Sequence, residues 1–400
     1  MSDTNRAGSR LASIDIIRGA AMVLMAIDHV RVYSAIPAGG PTPAVFFTRW
    51  VTHFCAPAFV FLAGTSAFLY GQRHRDLSRF LLTRGAWLGV LELTVIRVAW
   101  TFNFDFAHYM MAGVIWVIGW SMILMAGLVR LPVTAVAAIG LIIVAGHNAV
   151  GPTIVNAVNA APDSLTGALG KILYVGFFAG PVALGGSGLQ LTVLYSIVPW
   201  IGVMAVGYAF GTIVTGDAAR MRRLCLAIGL SAIALFLVLR GFNLYGDPRP
   251  WGGAPTGNSG RPPLPALLAF LNTTKYPASL SFLLMTLGPT IAMIPLLANA
   301  QGRFAGWLTV FGRVPFFFYV VHIPLIHLLA IAVSLVRLGE VSPWLFANHP
   351  MGNPEAPDGY MWSLPLLYAV WAIAVVILHF TCRWFAAVKA RRTDWWLSYI

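Results

Sequence analysis

Repeated apolar stretches of about 20 residues, almost free of charge, constrain this chain more than any other feature. Hydrophobic residues make up 58% of the 400 residues and charged residues only 10%, whereas soluble domains carry about a quarter charged residues. About 20 apolar residues cross a bilayer as a helix, and backbone groups at that depth must be paired within the protein. Because the runs show no two-residue alternation, they predict an all-α, polytopic helical bundle in a membrane.

About ten transmembrane helices are predicted, separated by turns rich in glycine and proline. A glycine-rich piece over 172–184 is too short to cross and is predicted to be re-entrant or interfacial. Without an internal repeat, residues 14–390 are predicted to form one integral membrane domain between tails over 1–13 and 391–400. The predicted spans cover residues 14–36, 44–70, 82–100, 109–129, 132–150, 189–214, 221–240, 276–298, 307–335 and 364–388.

Basic residues predict the orientation of the chain. With the N-terminus in the cytoplasm, 17 of the 26 Lys and Arg residues lie at cytoplasmic helix ends, as the positive-inside rule requires. The net charge of +13 therefore reflects topology and does not indicate a nucleic-acid partner. We expect both termini to be cytoplasmic, in a bacterial-type inner membrane, and the first apolar run to be retained. The arginine cluster over 73–84 fits the same rule, with a nucleotide-phosphate site as the alternative.

Ionisable side chains within the bilayer are costly and indicate function. At 1.5 Å of rise per residue, His29 in the first span and His53 in the second are predicted to lie at similar depth, below the outer surface. Other spans bring further polar groups to a nearby level, which predicts a polar cavity that opens outward. These groups are Arg49, Arg97, Asp105, His108, Lys275 and His327, with Glu92 and His322 nearer the midplane.

His29 and His53 are the candidate bases or acyl acceptors, and Asp28 is predicted to orient one of them. Asp28 and His29 lie about 100° apart on a helix, so Asp28 faces Arg31 or the second span instead of His29. The alternative to a catalytic role for Asp28 is a purely architectural Asp–Arg pair. Glu92 is either a proton-relay group or a paired structural residue. The sequence contains no HExxH or CxxC metal motif. The candidate substrate-binding residues are Arg49, Arg97, Asp105, His108, Lys275 and His322.

Two N-terminal segments carry a family resemblance, RLASIDIIRGAAMVLMAIDHVRVY and FFTRWVTHFCAPAFVFLAGTSAFL. Together they resemble the bacterial membrane proteins grouped with heparan-α-glucosaminide N-acetyltransferase. The segments IVPWIGVMAVGYAFG, NTTKYPASLSFLLMTLGP and FGRVPFFFYVVHIPLIHLL extend the resemblance over most of the chain, and the last is also similar to an element of wider membrane acyltransferases.

The resemblance implies transfer of an acetyl group from cytoplasmic acetyl-CoA, a donor substrate and not a tightly bound cofactor, to an amino sugar or other glycan on the outer face. The acting histidine of the eukaryotic enzyme lies in the loop between the first two family helices. Residues 30–52 contain no histidine here, so His29 and His53 are the candidates. Two alternatives to an acyltransferase are a transporter or proton-coupled carrier, and a non-catalytic partner in an envelope complex. The acceptor and the oligomeric state stay open.

Overall fold

The computed structural model describes residues 3–40, 42–185, 188–252, 264–351, 354–392, 394 and 397. Helices contain 74% of the residues, which confirms the predicted all-α membrane fold. The predicted N-terminal tail is helical from Asp3 onward, and most of the predicted C-terminal tail lies outside the described residues. The helices are α1 (Asp3–Ser34), α2 (Pro43–Trp50), α3 (Cys55–Gly71), α4 (Leu77–Leu91), α5 (Arg97–Thr101), α6 (Val114–Leu128), α7 (Val133–Ala160), α8 (Leu165–Gly170), α9 (Ile197–Val214), α10 (Ala218–Gly241), α11 (Ala266–Leu271), α12 (Leu280–Leu297), α13 (Arg303–Arg313), α14 (Pro315–Leu338) and α15 (Leu364–Arg391).

Among the described residues, seven helical stretches are long and apolar enough to cross a membrane, so this is a multi-pass membrane protein. The other three predicted spans fall on α1, on the continuous run from α4 to α5, and on α6. The first two carry several charged residues, and α6 has only 15 residues. Their crossing of the membrane stays a prediction. The seven stretches are Pro43–Gly71, Val133–Ala160, Ile197–Val214, Ala218–Gly241, Leu280–Leu297, Pro315–Leu338 and Leu364–Arg391.

The predicted span over 307–335 is two helices and not one. Helix α13 ends at Arg313, and α14 begins at Pro315. Val314 between them has φ −132° and ψ 51°, outside the helical region. A proline disfavours helical backbone at the residue before it, so Val314 departs from the helix and Pro315 becomes the first residue of α14.

A small three-stranded sheet, which the apolar runs did not predict, lies beside the bundle. It consists of β1 (Met110–Ala112), β2 (Val182–Leu184) and β3 (Leu189–Val193), in the order β1-β3-β2. Strand β3 pairs parallel to β1 and antiparallel to β2. The predicted spans over 109–129 and 189–214 therefore begin as strands. Part of the segment over 172–184 is strand β2, after one π-helical and one 3-10 turn.

Helix α1 lies at the centre of the bundle and packs against α3, α12, α13, α14 and α15. Its closest neighbour is α13, and two glycines permit that approach. A Cβ atom on Gly19 would overlap the backbone carbonyl of Leu308, and one on Gly312 would overlap that of Asp15. The backbones of α1 and α13 therefore touch, as is typical of glycines at helix crossings in membranes, and this contact fixes the helix that carries Asp28 and His29.

Candidate active site

Asp28 is held by an arginine on its own helix. Its Oδ1 accepts a hydrogen bond from Arg31 Nε across 2.7 Å, and Arg31 also donates to the backbone carbonyl of Ile36 at 2.9 Å. The i,i+3 spacing places Asp28 and Arg31 on one face. Among the described residues no hydrogen bond joins Asp28 to His29 or His53, so the predicted orienting contact is replaced by an ion pair.

His29 is oriented by a second histidine. His322 Nδ1 lies 2.7 Å and 3.0 Å from the backbone carbonyls of Tyr319 and Phe318. A carbonyl only accepts, so in the neutral ring His322 Nδ1 carries the proton and Nε2 carries a lone pair. His29 Nδ1 lies 2.6 Å from that Nε2 and must therefore donate to it. By this assignment the free lone pair of His29 is on Nε2.

The two rings differ in their access to a cavity. His322 is completely buried, and its ring lies at 24° to that of His29, with centroids 4.8 Å apart. The edge of Trp100 supports His29 from another side, with a centroid distance of 4.9 Å. His29 itself is partly exposed and lines a cavity of about 250 Å³, here called the histidine cavity. A partly exposed imidazole with a fixed tautomer is the arrangement that a general base requires.

The histidine cavity has an excess of positive charge. Its three basic residues, Arg31, Arg49 and Lys275, outnumber its two acidic residues, Asp28 and Glu92. Arg31 is paired with Asp28. The excess positive charge therefore comes from Arg49 and Lys275. Lys275 is only 7% exposed, and its Nζ lies 5.2 Å from the ring centroid of Tyr276. Such a lining favours an anionic or strongly electronegative group on the ligand.

Glu92 lines the same cavity from a distorted helix turn. The five residues Glu92–Ile96 between α4 and α5 are π-helical, a distortion that is frequent at functional sites. The Glu92 side chain is completely buried, and its Oε2 accepts a hydrogen bond from the backbone N–H of Ile115 at 3.1 Å. Since Gly113 offers no side-chain cap to α6, Glu92 supplies the acceptor for the start of that helix.

A second, larger cavity of about 460 Å³ lies beside the first half of α1, and it is here called the basic cavity. Its cations come from four helices and outnumber the single acid, Asp15. Arg18 lies 3.7 Å from Asp15 and also hydrogen-bonds Ser66. Arg18 and Arg31 are separated by roughly 20 Å of helical rise, so the two cavities are stacked along α1. The four cations are Arg18, Arg84, Arg313 and Lys389.

The two cavities share a wall. Phe59 of α3, Val114 of α6 and Tyr319 of α14 line both of them. Tyr319 is also the residue whose carbonyl anchors His322. The shared wall therefore lies directly beside the His29–His322 pair.

His53 is not among the residues that line the histidine cavity. It is 4% exposed, and its ring packs against the edge of Phe282 at a centroid distance of 5.4 Å. Neither ring nitrogen has a hydrogen-bond partner among the described residues. His53 lies near enough to Lys275 and Arg49 to interact with their charges, so the predicted depth of His53 is close to that of the cavity. Its ring, however, packs around the site and does not line it.

Three predicted substrate-binding residues belong to α5 and the polar loop that follows it, outside the cavity lining. Arg97 is completely buried, and its guanidinium donates to the backbone carbonyls of Tyr109 at 2.9 Å and Asp105 at 2.6 Å. Asp105 Oδ1 lies 2.7 Å from His108 Nδ1, and this hydrogen bond lowers the pKa of Asp105. His327 contacts the carbonyl of Ala99. The donors of Arg97 are used to fold the loop, so Arg97, Asp105 and His108 are not brought to His29.

Sequence reasoning missed the partnership of His29 with His322 and the wall residue Tyr319. Both partners belong to the segment FGRVPFFFYVVH, whose motif was recognised but whose contact with α1 was not. Arg18 and Arg84 were counted among the basic residues at cytoplasmic helix ends, with a nucleotide-phosphate site as the alternative for the cluster that contains Arg84. They line one cavity with Arg313 and Lys389. No group of side chains suited to a metal ion occurs among the described residues.

Comparison with protein families gives one match of wide extent. Residues 10–244 match the model for heparan-α-glucosaminide N-acetyltransferase, catalytic domain. The matched region contains His29, Arg49, Glu92 and the first two predicted spans. A search of curated proteins finds no match.

Proposed function

The chain belongs to the heparan-α-glucosaminide N-acetyltransferase catalytic family, and from this membership we propose that it transfers an acetyl group from acetyl-CoA to an amino sugar on the opposite side of the membrane. The observation that carries the proposal is the His29–His322 pair at the wall between two cavities. A donor and an acceptor that enter from opposite ends would meet at His29.

The donor is assigned to the basic cavity. CoA carries several phosphate charges on one end and a thioester on a long, slender arm. Arg18, Arg84, Arg313 and Lys389 suit the phosphates, because guanidinium and ammonium groups form charge-assisted hydrogen bonds with phosphate oxygens. The arm would pass Phe59, Val114 and Tyr319 to bring its thioester beside His29. With the basic cavity facing the cytoplasm, as the positive-inside rule favours, the donor is drawn from the cytoplasmic pool.

The acceptor is assigned to the histidine cavity. The amine nitrogen of the sugar attacks the thioester carbonyl, the carbon–sulfur bond breaks, and CoA leaves as the thiolate. His29 Nε2 removes the proton that the amine loses. The resulting imidazolium still donates from Nδ1 to His322 Nε2, so the neutral His322 stabilises the charged form of His29 until its Nε2 proton passes to the CoA thiolate and neutral His29 is restored. Arg49 and Lys275 would hold an electronegative group of the acceptor.

The test is release of CoA by purified protein in detergent. Acetyl-CoA and glucosamine together should release free CoA and form the N-acetylated sugar, whereas acetyl-CoA alone should release little. A carrier would instead move labelled substrate into vesicles without cleaving the thioester. Absence of CoA release with every amino sugar tested, in protein shown to be folded and to bind CoA, would exclude the proposed reaction.

A further inference from the structure

The basic cavity and the histidine cavity follow one continuous stripe of α1. Residues three or four positions apart lie on one face of a helix, and such residues line first one cavity and then the other. Along α1, Met22 is the last residue that lines the basic cavity, and Met25 is the first that lines the histidine cavity. Met25 therefore lies on the side of His29 that faces the basic cavity, one helical turn away on the same face. The stripe consists of Asp15, Arg18, Met22, Met25, His29 and Val32.

Helix α3 adds apolar side chains at the same level. Cys55 and Ala56 line the histidine cavity, and Phe59 lines both cavities. Cys55 Sγ donates a hydrogen bond to the backbone carbonyl of Ala21 at 3.2 Å. In a helix the carbonyl of residue 21 lies next to the N–H of residue 25, so Cys55 meets α1 at the level of Met25. The four lining side chains Met25, Cys55, Ala56 and Phe59 are here called the apolar corner.

Other groups occupy the remaining sides of His29. Its Nδ1 is hydrogen-bonded to His322, and the edge of Trp100 packs against its ring. The ion pair of Asp28 with Arg31 lies next to it along α1. An acyl tail placed against that ion pair would displace water from charged groups, which is costly. The tail of an acyl group whose carbonyl carbon is beside His29 Nε2 therefore finds an uncharged environment in the apolar corner.

The apolar corner has little spare room. Met25, Cys55 and Ala56 are each at most 5% exposed, so their neighbours already hold them in place. The whole histidine cavity measures about 250 Å³, whereas sites that enclose most of a drug-sized ligand measure about 300–1,000 Å³. A sugar ring that enters together with an acetyl group therefore leaves little space for further methylenes. The longest side chains of the corner, Met25 and Phe59, determine how much space that is.

We propose that Met25 and Phe59 set the upper limit on the length of the acyl group that the protein transfers. An acetyl group fits beside them, whereas a butyryl group would press against packed side chains, and packed interiors tolerate added methylenes poorly. The inference rests on the proposed acetyl transfer and deepens it, because it names the residues that select the acyl group of the donor.

The experiment compares acetyl-CoA with butyryl-CoA as donors to glucosamine. In the wild-type protein kcat/KM should be roughly 100-fold lower for butyryl-CoA, because a methylene that does not fit its pocket changes kcat/KM by about 10–200-fold. Met25→Ala shortens the side chain next to His29, and it should bring the two values within roughly tenfold of each other. The change should come mainly from a higher kcat/KM for butyryl-CoA.

Met22→Ala is the matched control, since Met22 is as buried as Met25 and lies on the same stripe of α1 but lines the basic cavity only. It removes the same side chain on the other side of the wall, so the preference for acetyl-CoA should be retained. If Met25→Ala does not fold, Phe59→Leu supplies the same test from α3, and it should also narrow the difference between the two donors.

Equal use of both donors by the wild-type protein would overturn the inference while leaving acyl transfer intact. The same holds for an unchanged preference in a folded Met25→Ala protein, or for an equal change of preference in Met22→Ala.

Absence of CoA release from both donors would instead remove the proposed function. In that case the binding of two thioethers, S-ethyl-CoA and S-butyl-CoA, measured by calorimetry, still decides about the apolar corner. Tighter binding of S-ethyl-CoA to the wild-type protein and to Met22→Ala, but not to Met25→Ala, supports the inference. Binding that does not depend on chain length in the wild-type protein overturns it.

Discussion

His29 Nδ1 and His322 Nε2 lie 2.6 Å apart, so the protonation of one ring is set by the other. A carboxylate is the usual partner for a basic histidine, and Asp28 is the immediate neighbour of His29, yet Asp28 is bound to Arg31. A neutral histidine partner keeps the buried pair uncharged until the reaction delivers a proton. In a membrane interior this matters, because a lone buried charge is expensive.

Replacing either ring should stop acetyl transfer for different reasons. We expect His29→Ala to lower kcat by about 10²–10⁴-fold, the usual contribution of a general base. His322→Phe keeps an aromatic ring, although a somewhat larger one, but removes the acceptor for His29 Nδ1, so we expect a loss on the order of 10²-fold through misplacement of the base. The KM for acetyl-CoA should be nearly unchanged in both variants. CoA release in steady state measures these effects.

His53→Ala is the matched control, because His53 lies in the same region but packs against Phe282 outside the cavity lining. It should reduce stability more than kcat, with unfolding in detergent at a lower temperature. The assignment of His29 as the base would be contradicted by a His53→Ala variant that is folded but inactive beside a His29→Ala variant that is active.

The sequence predicted the helical bundle well because a bilayer requires every spanning helix to be apolar over about 20 residues. Apolar length located the seven stretches that are long and apolar enough to cross a membrane. The rise per residue predicted a common level for Asp28, His29, Arg49 and Lys275, which all line the histidine cavity. Depth follows from position along a single helix, and it needs no knowledge of neighbours.

Partners on other helices could not be predicted in this way. The choice of His322 over Asp28 as the partner of His29 depends on how α14 turns after Pro315 and on the glycine contact that seats α13 against α1. For Arg97 the predicted depth was close to that of the cavity, but the predicted contact with substrate was not found. Its donors point into the loop around Asp105 and Tyr109. Direction around a helix axis is set by packing, which a single sequence does not reveal.

Arg313→Gln should weaken binding of CoA phosphates in the basic cavity. Arg313 is exposed to that cavity, and losing one charge-assisted hydrogen bond should raise the KM for acetyl-CoA about tenfold. The KM for an acetylated pantetheine that lacks the phosphates should not change. Arg73→Gln, an exposed arginine absent from the cavity lining, is the control. Equal effects of the two variants would argue for a general surface charge in place of a phosphate site.

Glu92→Ala and Glu92→Gln should separate the structural contribution of this side chain from any chemical one. Alanine removes the acceptor for the buried N–H of Ile115 and should destabilise the fold by about 1–3 kcal/mol, seen as a lower unfolding temperature. Glutamine keeps a carbonyl oxygen as acceptor, so most of the stability should return. If kcat also returns, Glu92 serves to start α6, whereas a stable but inactive Glu92→Gln would assign it a place in proton transfer.

Single added cysteines should reveal which side of the membrane each loop faces. The proposed topology puts Arg75 in the cytoplasm and Asp163 outside, and both residues are exposed. The natural residues Cys55, Cys225 and Cys382 are buried, so they should react little with a membrane-impermeant maleimide. In intact cells Asp163→Cys should be labelled and Arg75→Cys should be labelled only after permeabilisation. The reverse pattern would place the basic cavity outside and make cytoplasmic acetyl-CoA impossible as its ligand.

Gly312→Ala should test whether the contact between α1 and α13 positions the site. An added Cβ would overlap the carbonyl of Asp15, and backbone cannot move aside as a side chain can, so we expect a loss of about 1–3 kcal/mol together with reduced kcat. Gly306→Ala on the same helix meets no atom within 4 Å, and it should be neutral or stabilising by up to about 1 kcal/mol, because alanine favours helix more than glycine does. Unfolding temperature and CoA release should be measured together on both variants. A Gly312→Ala protein as stable and active as Gly306→Ala would show that α1 holds His29 against His322 without this contact.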